Sequence, residues 1–323
     1  MRTRLLCATL FAMLLAGPAV SQSSRPVEDA FVTLGTMGGP VASPDRSQPS
    51  NAIVQGGLVY LVDVGDGSVQ QLARAGLRLR EVKAVFLSHL HADHTGGLSA
   101  LLSLRNQTSL TERMTIYGPP GTQDLVNGIV ASMQPASRAG YGIPGQSWQT
   151  PGESVAVIEL EDGDRAELGA MVVTVAQNTH YDFAPGSEED RLYKSLSLRF
   201  DLPARSIVYT GDTGPSSAVE ALARGADLLV SEMIDLPSTM ATVGRNSPDM
   251  LPDAKGRLEQ HLSTHHLTPE AVGQLAAAAG VKAVVVTHFA GGTPNAQANQ
   301  SYVAQIRSHF SGTVTLANDL DRF

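Results

Sequence analysis

Short apolar runs of about four to eight residues recur from residue 30 onward, each bounded by Gly, Pro or polar clusters, which is the pattern of buried strands. The runs at 30–34, 52–55 and 58–62 read this way, and the last two flank Gly56-Gly57 as a β-hairpin. Further strands are expected at 82–87, 114–117, 154–160, 166–168, 171–176, 196–200, 206–210, 226–230, 281–286 and 313–317. Helical spacing falls between them, at 69–75, 98–104, from Thr122 to about Met133, 216–223, 269–279 and 299–310. Thr268 suits an N-cap, Pro269 the first helical position and Gly280 the stop. Two stretches break the rhythm. Residues 134–150, which hold Trp148, predict a long irregular loop and part of a substrate rim. Residues 235–262 are polar and poorly periodic, consistent with a lid or an insertion. Strands alternating with helices through both halves give an α/β or α+β layered domain.

The amino-terminal residues form a separate device. Arg2 and Arg4 precede an apolar run at 5–15, and Gly17, Pro18, Ala19 and Ser21 then supply a helix break and small residues. This predicts a secretory signal peptide at 1–21, cut after Ser21, ahead of one domain at 22–323. The run is shorter than the roughly 20 residues of a membrane span, so no stable membrane insertion is expected after cleavage. Cys7 is the only cysteine and leaves with this segment, so every metal ligand in the mature chain must be N or O. The net charge of −8 becomes −10, with 21 basic against 31 acidic side chains. An acidic balance disfavours non-specific nucleic-acid binding, which phosphate contacts dominate.

The candidate chemistry sits where apolar strands end. The run through Leu87 leads into Ser88-His89-Leu90-His91-Ala92-Asp93-His94, which places four potential ligands within six positions. His89 and His91 share a face of an extended backbone, and the following turn aims Asp93 and His94 separately. One stretch can therefore serve two metals. Imidazole and carboxylate suit zinc, with iron or manganese as alternatives. Three more strands lead to His180, Asp212 and His288. Ser88, Thr287 and Glu232 are candidates for fixing imidazole tautomers. Asp63 fits either the site or a turn, and Tyr181 either the pocket wall or packing. His261 and His309 are expected at the surface.

His89-x-His91-x-Asp93-His94 followed by Thr95-Gly96-Gly97, with His180, Asp212 and His288 downstream, resembles the metallo-β-lactamase superfamily over about residues 30–317. The resemblance implies an α+β fold, an αββα sandwich of two mixed sheets packed face to face with outer helices and a site at one edge. It implies two Zn2+, the first held by His89, His91 and His180, the second by Asp93, His94 and His288, with Asp212 bridging both. A bridging Asp in place of Cys looks like hydrolases of phosphate, sulfate, thioester and lactone esters. His266-Leu267-Thr268-Pro269-Glu270 resembles the tRNase Z branch, which makes His266 the expected proton donor and His265 its competitor. With the signal peptide, segments 60–67 and 116–121 look most like exported arylsulfatase-like members. The expected function is thus a periplasmic or secreted dinuclear zinc hydrolase. It would cleave a small-molecule ester by attack of a metal-bridging hydroxide, with Asp93 and His266 catalytic. Phosphodiesterase or lactonase activity is the alternative. Export, the acidic balance and the lack of a basic Gly/Pro-rich arm set aside a tRNA 3′-processing nuclease and any nucleic-acid partner. The complete ligand set sets aside a non-catalytic metal-binding protein. A homodimer is compatible with all of this.

Overall fold

The computed structural model describes residues 29–291 and 296–323. The segment read as a signal peptide lies outside the described residues. The first half of the chain builds a six-stranded sheet from β1 (Ala30–Gly35), β2 (Ser50–Gln55) and β3 (Leu58–Val64), then β4 (Val82–Phe86), β5 (Met114–Gly118) and β6 (Val155–Glu159). Between these lie α1 (Ser68–Arg74), α2 (Ala92–Thr95), α3 (Leu98–Gln107) and α4 (Thr122–Ala139). The second half builds a seven-stranded sheet. It begins with β7 (Arg165–Leu168), β8 (Met171–Gln177), α5 (Glu188–Leu192), β9 (Leu196–Asp201), β10 (Ser206–Tyr209) and α6 (Ser217–Ala223). It continues with β11 (Leu228–Ile234), α7 (Leu236–Asn246), α8 (Pro252–His265), α9 (Pro269–Ala279), β12 (Ala283–Ala290), α10 (Ala296–Arg307) and β13 (Thr313–Leu316).

Each sheet starts as an antiparallel meander and turns parallel. β1 to β3 pair antiparallel and β3 to β6 parallel. β7 to β10 pair antiparallel and β10 to β13 parallel. Tight turns suffice for the first kind, whereas the second needs crossovers, which the helices supply. The period-two pattern sorts the side chains into layers. Ala30, Val32, Leu34, Ala52 and Val54 face α1, α3 and α4, while Phe31 and Ile53 face the second sheet. Between the sheets Phe86 stacks on Tyr117 and meets Phe200 edge-on. A third cluster joins Val208, Leu229, Val284 and Val286 to α6, α9 and α10. The result is the expected α+β sandwich of two mixed sheets with helices outside.

Two expectations change. α4 continues through Pro135 to Ala139, so the irregular stretch is shorter, and Trp148 packs on Tyr141 with its backbone N–H donating to the Ser137 carbonyl at 3.1 Å. Trp148 is not among the residues that line the large cavity described below. The polar stretch 235–262 is helical rather than loose. Asp235 caps α7 by accepting from the Ser238 N–H at 3.0 Å, and Pro252 opens α8. α7 is amphipathic and α8 only weakly so, and both give little to a core: Met240 is the one buried residue of α7 and His265 that of α8. Among the described residues no helix is long and apolar enough to cross a membrane.

Candidate metal centre

The site forms where both sheets meet at one edge. Leu87 to His91 leaves β4 as a loop, His91 caps α2, and that single helical turn carries Asp93 and His94. The fit is tight: a Cβ on Gly65 would strike the Asp93 carbonyl oxygen, so only glycine lets the turn after β3 lie against α2. His180 follows β8 and Asp212 follows β10. His288 lies inside β12 rather than at its end. Ser231 pairs with Val286 and Met233 with Phe289, so Thr287 and His288 together oppose Glu232 as a bulge. Its φ of +40° is strained for a residue with a Cβ, and bulges of this kind re-aim a side chain. Gly38 packs on the bulge, where an added Cβ would come within 2.9 Å of His288 Nδ1. This accounts for the Gly-rich turn at 35–40.

The seven side chains converge in two groups. His91 Nδ1 lies 2.9 Å from His89 Nε2 and 3.3 Å from His180 Nε2. Asp93 Oδ2 lies 3.6 Å from both His94 Nε2 and His288 Nε2. Asp212 reaches both groups: its Oδ1 sits 3.3 Å from His94 Nε2 and 3.2 Å from His288 Nε2, and its Oδ2 3.9 Å from His180 Nε2. Yet His94 Nε2, His288 Nε2 and Asp212 Oδ1 are buried without a hydrogen-bond partner. Buried polar atoms left unpaired are costly, and several aimed at one point fit a cation. The all-N/O donor set suits divalent metals, zinc among them.

Electrostatics agrees. Burial pushes the His89 and His180 imidazoles well below their ordinary range, with neighbouring histidines adding to the effect, so both are neutral donors. Burial also resists charge on His94, but Asp212 and Asp63 overcome it and hold its pKa well above the usual value. Burial would keep Asp93 neutral, yet His288 and His94 beside it bring its pKa to about 2. The carboxylates thus hold protons on His94 and His288 where a cation would take their place.

Asp63 turns out to organise one group. It adopts φ +56° at the end of β3, accepts from the Ser88 N–H and hydroxyl, both at 2.8 Å, and from Tyr209 Oη at 2.7 Å. It also holds His94 Nδ1 at 2.8 Å, leaving Nε2 for the cluster. Ser88 Oγ contacts His89 Nδ1 at 3.1 Å. Glu232 grips His266 Nδ1 at 2.8 Å and accepts from the Thr213 N–H at 2.7 Å. Burial opposes a charged His266, but Glu232 pushes its pKa up to about 9. His265 instead turns to the Thr179 carbonyl at 2.5 Å and does not line the cavity. Thr287 Oγ1 is buried without a partner. Tyr181 packs its ring against His89, His91 and His180.

A cavity of about 410 Å³ opens over these residues, walled by Met37, Pro40, Val41, Val243, Leu258 and Leu262. His261 lines it with His266, its ring 5.5 Å from that of His180, so the surface placement expected for it is wrong. Its signal was the i, i+4 spacing with His265 on a helix the polar pattern concealed. His309 is exposed, as expected.

The family described as "Beta-lactamase superfamily domain" matches residues 59–289. The chain is 31% identical over 294 residues to a Ribonuclease Z of Mycobacterium avium (strain 104), covering 90% of this chain and 96% of that protein. A Ribonuclease Z of Mycobacterium marinum is 28% identical over the same share of this chain and 97% of its own length. Among solved structures, the metallo-β-lactamase fold protein YhfI from Bacillus subtilis superposes with TM-score 0.65 at 18% identity, covering 91% of this chain and 98% of that one. The short form of human tRNase Z superposes with TM-score 0.60 at 22% identity over 91% and 98%. These relatives overturn two expectations: that an arylsulfatase-like small-molecule esterase describes the chain, and that nucleic acid is excluded as a partner. The second failed because net charge averages the whole surface, whereas a substrate meets one cleft. The chain belongs to the metallo-β-lactamase superfamily of metal-dependent hydrolases, among relatives named Ribonuclease Z.

Proposed function

We propose that this protein is a metal-dependent phosphodiesterase that cleaves RNA. His89, His91 and His180 would hold one divalent cation, Asp93, His94 and His288 a second, with Asp212 within reach of both groups. The observation that carries this reading is Asp212, whose two oxygens face the two groups separately. Zinc bound there would supply Lewis acidity and a hydroxide at neutral pH. The protein's own residues do the rest. Asp63 and Ser88 hold the imidazoles of His94 and His89 in fixed tautomers. Glu232 accepts from His266 Nδ1–H and, by raising the imidazole's pKa to about 9, keeps a second proton on Nε2 for a departing RNA oxygen, as a general acid requires. The apolar wall from α7 and α8 excludes water and accepts the face of a nucleobase.

RNA as substrate rests on the Ribonuclease Z relatives, which match nearly the whole chain. Residues 1–21 add the inference that the enzyme meets its RNA outside the cytoplasm, which fractionation of a carboxyl-terminally tagged chain checks. The activity test uses zinc-loaded protein, a precursor tRNA carrying a 3′ trailer, and bis(p-nitrophenyl) phosphate. Cleavage of both is expected, abolished by a chelator and restored by zinc. Zinc-loaded protein that leaves both intact would contradict the proposal.

A further inference from the structure

Beside the metal cluster lies a second cavity of about 150 Å³, lined by Ser43, Asp45, Arg46, Thr242, Arg245 and Phe289 among others. It shares Met37, Val41, Thr242 and Gly291 with the larger cavity, so the two form one groove. Two guanidinium groups face this end. Arg46 stacks 5.7 Å above the ring of Phe289, the residue that follows His288. Arg245 reaches back along α7, its Nη2 donating to Thr242 Oγ1 at 2.9 Å.

Arg46 is the informative one. It is partly buried, and burial pulls its pKa below the ordinary value against the opposing charges of Asp319 and Asp45. Yet among the described residues its donors find no hydrogen-bond acceptor and no ion pair. Arg105 shows what a structural arginine does in this protein: it donates to the carbonyls of Leu79, Val82 and Glu112. A half-buried guanidinium with its fork unused is matched to an oxyanion that accepts two parallel N–H bonds. Asp45 also lines the cavity and Asp319 lies near Arg46, but Asp319 is already engaged by Thr36, Ser47 and Gln71, so neither carboxylate takes up the guanidinium donors.

We propose that this cavity is a subsite for a second phosphate of the RNA backbone, adjacent to the phosphate being cleaved. The inference rests on the reading of RNA as substrate. Arg46 supplies a half-buried fork and Arg245 closes over the same group from the rim, while the nucleoside between the two phosphates lies along Met37, Val41 and Thr242.

The test compares uridine dinucleotides with one phosphate (UpU) and two (pUpU and UpUp). They are titrated calorimetrically into zinc-loaded protein carrying His266→Ala, which slows turnover. The second phosphate, at one end or the other, is expected to improve affinity about tenfold, as a charge-assisted bidentate hydrogen bond should. With Arg46→Met and Arg245→Met added, that gain should fall below about twofold. Its dependence on salt should flatten by about 0.7 in log–log slope, because one phosphate fewer is neutralised by the protein. Arg245 is exposed, so Arg245→Met alone keeps the fold and should still cut the gain to about threefold. An equal gain with and without the arginines, or no gain at either end, overturns the subsite. Arginine-dependent gain in a protein whose unsubstituted form cleaves no RNA leaves the subsite standing and removes the RNA reading instead.

Discussion

The two halves of the molecule share a plan and divide the site unequally. Each is an antiparallel meander that turns into parallel αβ crossovers, and each packs one sheet face on the other half. The first half delivers four candidate ligands from one loop and one helical turn, His89, His91, Asp93 and His94. The second delivers three from three separate elements, His180, Asp212 and His288. Each proposed cation therefore takes two side chains from the first half, one from the second, and a share of Asp212. The difference teaches how the site is held. The first half fixes its ligands through local backbone geometry and one buried orienting carboxylate, Asp63. The second half relies on the packing of β8, β10 and β12 to bring distant residues to one edge. A strained bulge supplies the last adjustment at His288.

This contrast can be broken at its shared member. Asp212→Ala removes the one carboxylate that touches both groups, and diester turnover should fall about 10³-fold or more, with metal content falling as well. Retained metal and turnover would mean that the halves act independently. His266→Ala tests the second half's other contribution. Turnover of a substrate with a poor leaving group should drop about 10²-fold with metal content unchanged, whereas an activated aryl leaving group should lose less. Equal losses on both substrates would place His266 outside proton transfer. Asp63→Asn probes the first half's orienting group, and chelator competition should show the His94 cation binding about 10- to 100-fold more weakly. No change would leave His94 positioned by packing alone.

The sequence made the first half's cluster legible because four candidate ligands fall within six consecutive residues. The strand-end rule then found His180 and Asp212, since β8 and β10 stop just before them. His288 was found as a residue, but its bulge was not, because parallel pairing with β11 sets it and no local pattern records that register. Asp63 stayed ambiguous for the same reason: a turn-forming Asp and an imidazole-orienting Asp look alike until Ser88, His94 and Tyr209 surround it. The cavity wall was the least legible part. α7 and α8 turn Val243, Leu258 and Leu262 to a cleft rather than a core, and the polar residues around them on α8 hid its helix and with it His261. Trp148 drew attention as the lone tryptophan, and its ring packs on Tyr141 outside the lining of the large cavity.

If the two halves jointly hold two cations, metal stoichiometry measured by plasma mass spectrometry will count them. The zinc-loaded protein should carry close to two cations per chain and His288→Ala about one, because only the second position loses a ligand that nothing replaces. A single cation in the unsubstituted protein, or an unchanged count in His288→Ala, would contradict the two-cation site.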